Sequence, residues 1–145
     1  MKNEKYINRT ISVLYRYGQR YFTQMLKERQ IPMEVGQLPF MMQVYRHPGI
    51  SQDGISANAV MDKGTTAKCI KQLELSGLVV REMDADDKRI NHVYPTEKAL
   101  AVKGEVLRVI EELHAVLYKG FDSEEIGLAN DLLERMKENI SDWLA

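Results

Sequence analysis

The hydrophobic period of this 145-residue chain changes from about 3.6 to about 2 at Gly77, and few folds accommodate that change. Upstream, Thr66, Cys69, Ile70 and Leu73 recur at helical steps and predict a helix from Lys63 to Ser76. Asp62 is placed to cap its start, and Gly77 follows its end, where a left-handed residue is wanted. Downstream, Leu78 to Met83 and Ile90 to Tyr94 are rich in β-branched and apolar residues and flank the polar run Asp84 to Arg89, which predicts a β-hairpin with a charged tip. A shorter helix, from Ser51 as cap to about Val60, is expected just before, with Ile55 and Ala59 on its inner side.

The two faces of the Lys63 to Ser76 helix differ in chemistry. Thr66, Cys69, Ile70 and Leu73 point inward; Gly64, Thr65, Ala67, Lys68, Lys71 and Gln72 point outward and include no carboxylate. Lys reaches guanine edges or phosphates, Gln pairs with adenine, and Thr and Ala touch a thymine methyl. With Lys63 at its first turn and Gly64 admitting close backbone approach, such a helix suits a DNA major groove. The hairpin would then be a wing, its Arg89 and Lys88 extended toward the duplex and Asp87 holding the guanidinium by a bidentate pair. An Arg on such a tip fits a narrow, electronegative minor groove.

The run from Gly36 to Thr96 resembles the winged helix-turn-helix of the MarR family of transcription regulators. The residues that carry the resemblance are Gly36-Gln37-Leu38, His47-Pro48-Gly49-Ile50-Ser51-Gln52, Asp62-Lys63-Gly64-Thr65-Thr66, Leu73-Glu74 with Gly77-Leu78-Val79, and Asp87-Lys88-Arg89 closing at Thr96. The flanking helices match that family's layout as well. Two positions depart from the pattern: Val60 stands in the inter-helix turn where Gly or Asn is common, and Gly54 stands where a longer polar residue is usual. The resemblance implies a small first strand near Ile50, repression of transcription, and relief by a small, frequently aromatic effector whose binding residues it does not assign.

Outside this module, residues 4 to 29 read as a long amphipathic helix carrying Tyr6, Tyr15, Tyr17, Tyr21 and Phe22, aromatics that suit either core and dimer packing or a small-molecule pocket. Val35 to His47 reads as a buried helix with Pro39 in its first turn. Thr96 is placed to cap a helix from Glu97 to about Lys119, and Asp122-Ser123-Glu124-Glu125 has the form of a capping box for a last helix bearing Leu128, Leu132, Leu133, Met136, Ile140 and Trp143. The fold class expected is therefore mainly α with a small β-hairpin wing, one domain over 1–145. Residues 34–96 would bind DNA, and the helices of 1–30 and 97–145 would join two copies about a two-fold axis.

Charge distribution supports this division. The formal net charge is −1, but residues 1–50 carry eight Lys and Arg against three acids, and residues 97–145 carry six against eleven. The acidic excess thus belongs to the C-terminal helices and need not face DNA. One cysteine excludes an intramolecular disulfide, and the first thirty residues are too charged for a secretory signal, so a cytoplasmic location is expected.

Cys69 on the inward face suits an inert thiol better than a redox sensor. His47, His92 and His114 have no metal-ligand spacing, and no nucleophile, base and orienting acid are arranged in a local motif, so neither a metal, nor another cofactor, nor an enzyme is expected. The rival reading is a winged helix that binds protein and not DNA; it requires neither a carboxylate-free face nor a basic wing tip.

Overall fold

The computed structural model describes residues 6–145. They form six helices and three strands in the order α1 (Ile7–Glu28), α2 (Leu38–Arg46), β1 (Ile50–Ser51), α3 (Gln52–Ala59), α4 (Lys63–Leu75), β2 (Val79–Met83), β3 (Asn91–Pro95), α5 (Glu97–Leu117) and α6 (Ser123–Leu144). Two compact units divide the chain, one running to Ile110 and the other from Glu111 to Ala145.

The first unit holds the core. Met41 and Val44 of α2, Ile55 of α3, Ile70 and Leu73 of α4, Leu78 just before the sheet, and Val79 and Val93 within it are buried to 1% exposure or less, together with Ala99, Val106 and Val109 of α5. Fully burying an aliphatic side chain of this size contributes about 1.5 to 3 kcal/mol, so this cluster fixes how the helices and the sheet meet. The polar groups buried with it are satisfied internally. The Tyr45 hydroxyl donates to the Ala99 carbonyl at 2.6 Å, Ser56 Oγ to Met61 O at 2.6 Å, and Thr66 Oγ1 to Asp62 O at 2.8 Å. Burial pushes the Tyr45 phenol up to about 12, keeping it a neutral donor.

The sheet is antiparallel with strand order β1-β3-β2. Ile50 lies opposite Val93 and Ser51 opposite His92, while Glu82 of β2 faces His92 from the other side. The small strand at Ile50 is the one the resemblance implied.

Helix boundaries follow local chemistry. Ser51 Oγ accepts from Gly54 N at 3.0 Å and Asp62 Oδ1 from Thr65 N at 2.7 Å, which caps α3 and α4 as their sequences require. Gly77 takes φ +78 after α4. The helix expected from Val35 is divided: Val35–Gln37 is a 3-10 turn, and α2 begins at Leu38. Pro39, in the first turn of α2, has no N–H to give Val35, so the preceding residues close the tighter turn, helped by reciprocal bonds between Glu34 and Gln37.

The two departures from the family pattern have separate physical reasons. A Cβ on Gly54 would lie 2.9 Å from Ile50 Cγ1 and 3.2 Å from Ser51 Oγ, so a side chain there would collide with the strand and the cap that begin α3. Val60 is different: it sits in the left-handed region at φ 54, ψ 49, with its side chain 86% exposed. A β-branched residue there has steric strain and no packing to offset it. Val60→Gly is therefore expected to stabilise the chain by about 1 kcal/mol, read as a raised denaturation midpoint with unchanged urea slope. A lowered midpoint would show that Val60 makes contacts that outweigh its backbone strain.

In α1, Tyr21 and Phe22 pack against the core, and the Tyr21 hydroxyl donates to Val109 O at 2.8 Å. Tyr6, Tyr15 and Tyr17 are exposed. In the second unit α6 starts with the expected capping box, Asp122 Oδ1 accepting from Glu125 N at 2.8 Å and Glu125 Oε1 from Asp122 N at 3.1 Å. Its Leu128, Leu132, Met136, Ile140 and Trp143 are all exposed at three- and four-residue steps. Among the described residues, no helix is long and apolar enough to cross a membrane.

Candidate nucleic-acid interface

Helix α4 buries Thr66, Cys69, Ile70 and Leu73 and leaves Lys63, Gly64, Thr65, Lys68, Lys71 and Gln72 exposed, with Ala67 half-buried beside them. Helical arithmetic puts Gly64, Lys68 and Lys71 along the ridge opposite the core, with Thr65 and Gln72 on one shoulder and Ala67 on the other. Burial pushes the Cys69 thiol up to about 11, so it remains an unreactive thiol.

The start of α4 is tightly held. Asp62 takes the Thr65 backbone N–H on Oδ1 and the Thr65 hydroxyl on Oδ2, each at 2.7 Å, and these bonds hold its carboxyl below the usual range. The Thr65 hydroxyl proton is thus committed to the cap, which leaves its methyl and its oxygen lone pairs. A Cβ at Gly64 would stand 3.3 Å from Asp62 Oδ1, so a side chain there would press on the cap and shift it by a few tenths of an ångström. Lys63 lies 3.7 Å from Asp53 of α3 with both side chains well exposed, a pairing too solvated to hinder exchange for a phosphate. Gln72 and Leu75 line an open cleft of about 650 Å³ that faces Ile31, Met33 and Glu34.

The other end of α4 is fixed to the sheet. Arg81 of β2 donates from Nε and Nη2 to the two oxygens of Glu74, at 3.1 and 2.9 Å, and from Nη1 to Gln52 Oε1 of α3 at 3.3 Å. One guanidinium therefore ties α4, α3 and β2 together, and Glu74 adds no free negative charge beside Lys71. Sequence reasoning missed this clamp; Glu74 and Arg81 are seven residues apart and meet only after the turn at Gly77.

At the wing tip Arg89 is 90% exposed, and Asp87 grips it from both oxygens. Nε donates to Oδ1 at 3.0 Å and Nη2 to Oδ2 at 2.9 Å, while the Arg89 backbone N–H also donates to Oδ1. These bonds hold the Asp87 carboxyl below its usual range. The pair aims the guanidinium without burying it, leaving its remaining N–H groups for a second acceptor. Lys88 is exposed beside it. Asp84 Oδ2 accepts the backbone N–H groups of Asp86 and Asp87 at 3.0 Å each, which shapes the turn that carries the pair.

A helix with a cationic, carboxylate-free outer face, joined to a hairpin that presents an exposed guanidinium, is the arrangement of the winged helix-turn-helix class of DNA-binding proteins. The family model described as the MarR family matches residues 33–90. The chain is 33% identical over 116 residues to YybA of Bacillus subtilis strain 168, an uncharacterized HTH-type transcriptional regulator, covering 79% of this chain and 77% of that protein. Its fold matches a MarR transcriptional regulator from Methanosarcina mazei Go1 with TM-score 0.84 and 32% identity, over 95% of this chain and 99% of that one. A MarR family regulator from Listeria monocytogenes, solved in complex with a 26mer DNA, matches with TM-score 0.86 and 31% identity, over 97% of this chain and 93% of that one. The chain belongs to the MarR family of transcriptional regulators.

Proposed function

We propose that this MarR-family regulator is a ligand-responsive repressor that acts as a homodimer on a pseudo-palindromic operator. The α4 helices of the two copies enter successive major grooves at half-sites about 10 to 10.5 base pairs apart, and the wings grip the flanking minor grooves. Lys63, Thr65, Lys68 and Gln72 contact the duplex from α4, Gly64 and Ala67 allow close approach, Lys71 and Lys88 meet phosphate, and Arg89 enters the minor groove with Asp87 as its support. The observation that carries this reading is the coexistence of the α4 outer face and the Asp87-aimed Arg89 on one module. The DNA complex of the Listeria relative supports it.

The dimer is supported by apolar stripes that a lone chain leaves in water: Ile7, Ile11 and Leu14 on α1, and Leu132, Met136, Ile140 and Trp143 on α6. Relief by a small aromatic effector requires that the effector prefer the dimer form that does not fit DNA, with a coupling of about 1 to 3 kcal/mol. A mobility-shift titration of fragments from the source genome is expected to select a pseudo-palindromic sequence, with affinity falling steeply as salt rises. Failure to retain any duplex fragment at low salt would overturn the reading in favour of a protein-binding winged helix.

A further inference from the structure

His92 is placed unlike an ordinary surface histidine. Nδ1 lies 2.9 Å from the Gly49 carbonyl oxygen, and Nε2 lies 2.7 Å from Asp84 Oδ1. Both neighbours only accept hydrogen bonds at neutral pH, whereas a neutral imidazole has one donor and one acceptor nitrogen. The imidazolium alone satisfies both ends. The ring is about one-third exposed, and the bonds to Asp84 and then Gly49 raise its basicity, while the same bond to His92 leads the causes that lower the Asp84 carboxyl.

What the ring connects gives this protonation a consequence. Gly49 belongs to the bend that leads into β1, where its N–H donates to Val93 O at 2.8 Å; Asp84 begins the wing turn. The Asp84 oxygen not taken by His92 accepts the N–H groups of Asp86 and Asp87, and Asp87 in turn holds Arg89. One line of hydrogen bonds therefore runs from the root of the sheet through His92 and Asp84 to the guanidinium at the tip. Glu82 faces the ring across β2, and Ser51, its partner on β1, is neutral. Asp53 of α3 and Arg89 share with it a cleft of about 330 Å³, and Asp53 is paired with Lys63. The carboxylates Glu82 and Asp84 favour the cation.

We propose that protonated His92 is a positioning residue for the DNA-contacting wing, a latch that holds the Asp84 turn and hence Arg89 in place, so that wing engagement weakens as the ring loses its proton. When the proton leaves, one nitrogen lone pair faces either Gly49 O or Asp84 Oδ1, and that end of the line repels. Because the folded protein favours the cation, the latch is complete below the ordinary histidine range and is lost as pH rises through the raised value. The proposal rests on the reading of Arg89 as a DNA contact.

The test uses Asp84→Asn. Its amide nitrogen can donate to a neutral His92 Nε2 while its oxygen continues to accept from Asp86 and Asp87, so the line is complete without the proton. Operator affinity is measured from pH 6.5 to 9 for the parent, Asp84→Asn and His92→Gln, alongside ring nitrogen shifts of the free protein by NMR. The parent is expected to lose about fivefold more affinity across this range than Asp84→Asn, the low end of ordinary couplings, and His92 to titrate above the usual histidine range. Exchange of the Asp86 and Asp87 amides in the free parent should rise with pH beyond its intrinsic base catalysis, and not in Asp84→Asn; a mere charge effect on DNA would leave that exchange unmoved. His92→Gln, which puts one amide nitrogen and one acceptor oxygen where the imidazolium has two separate donor nitrogens, is expected to bind like the deprotonated parent throughout.

A ring that titrates at or below the ordinary histidine range, or parallel pH profiles for parent and Asp84→Asn, would overturn the latch. If Arg89→Ala binds as the parent does, the wing reading has failed; if Arg89→Ala weakens binding while Asp84→Asn titrates like the parent, the latch alone has failed.

Discussion

Ile140→Glu combined with Trp143→Glu is expected to convert the protein to a monomer and to reduce operator affinity by about 100- to 10,000-fold. In the single chain these side chains are 59% and 82% exposed, so the substitution removes little internal packing and the protomer should retain its helix content. In a dimer the same positions would meet another apolar surface, where an unpaired carboxylate is costly to desolvate. The large effect on DNA comes from loss of linkage: two heads on one scaffold bind the second half-site at an effective concentration that a free monomer lacks, worth about 10² to 10⁴ in affinity. Sedimentation should report 16.7 kDa for the variant and twice that mass for the parent. An unchanged dimer with full affinity would place the twofold contact away from this stripe of α6. Ile140→Ala with Trp143→Ala, which adds no charge, should shift both readouts in the same direction by less.

Local features of the fold were legible because the residues that set them are close in sequence. Ser51, Asp62, Thr96 and Asp122 each cap the helix that follows, Thr96 Oγ1 accepting from Ala99 N at 3.2 Å. The change of period at Gly77 marks the passage from α4 to the sheet, and the buried face of α4 follows from a four-residue repeat. The Asp87 grip on Arg89 spans two residues and could be anticipated from side-chain reach alone. What escaped the sequence depends on register. His92 meets Gly49, 43 residues away, only because β1 pairs with β3 at Ser51 opposite His92, and no local pattern specifies that pairing. Arg81 reaches Gln52 for the same reason. The 3-10 turn at Val35–Gln37 was hidden because an apolar run shows burial and not helix type. Thr65 could be read as an outward hydroxyl, but its engagement with Asp62 reflects a choice of rotamer.

Arg89→Ala should weaken operator binding about 100-fold in the dimer and flatten its salt dependence. Hydrogen bonds to charged groups are worth about 1.5 to 3 kcal/mol, and two wings at the low end of that range give about two decades. Each phosphate-neutralising cation contributes about 0.9 to the slope of log affinity against log salt, so two lost guanidinium groups should reduce its magnitude by about 1.8. Asp87→Asn tests the aim while keeping the Arg89 cation, at the loss of one negative charge per wing. It leaves Arg89 fully cationic but removes the carboxylate that receives both Nε and Nη2, so the guanidinium must be ordered at the moment of binding. Affinity should then fall by less than for Arg89→Ala, with the salt slope almost unchanged. If Arg89→Ala left slope and affinity intact, the wing would lie off the duplex and α4 alone would provide the interface. If instead Asp87→Asn flattened the slope as much as Arg89→Ala, the carboxylate would be needed to bring the cation to the DNA at all, and the hairpin tip would have to be built around the pair.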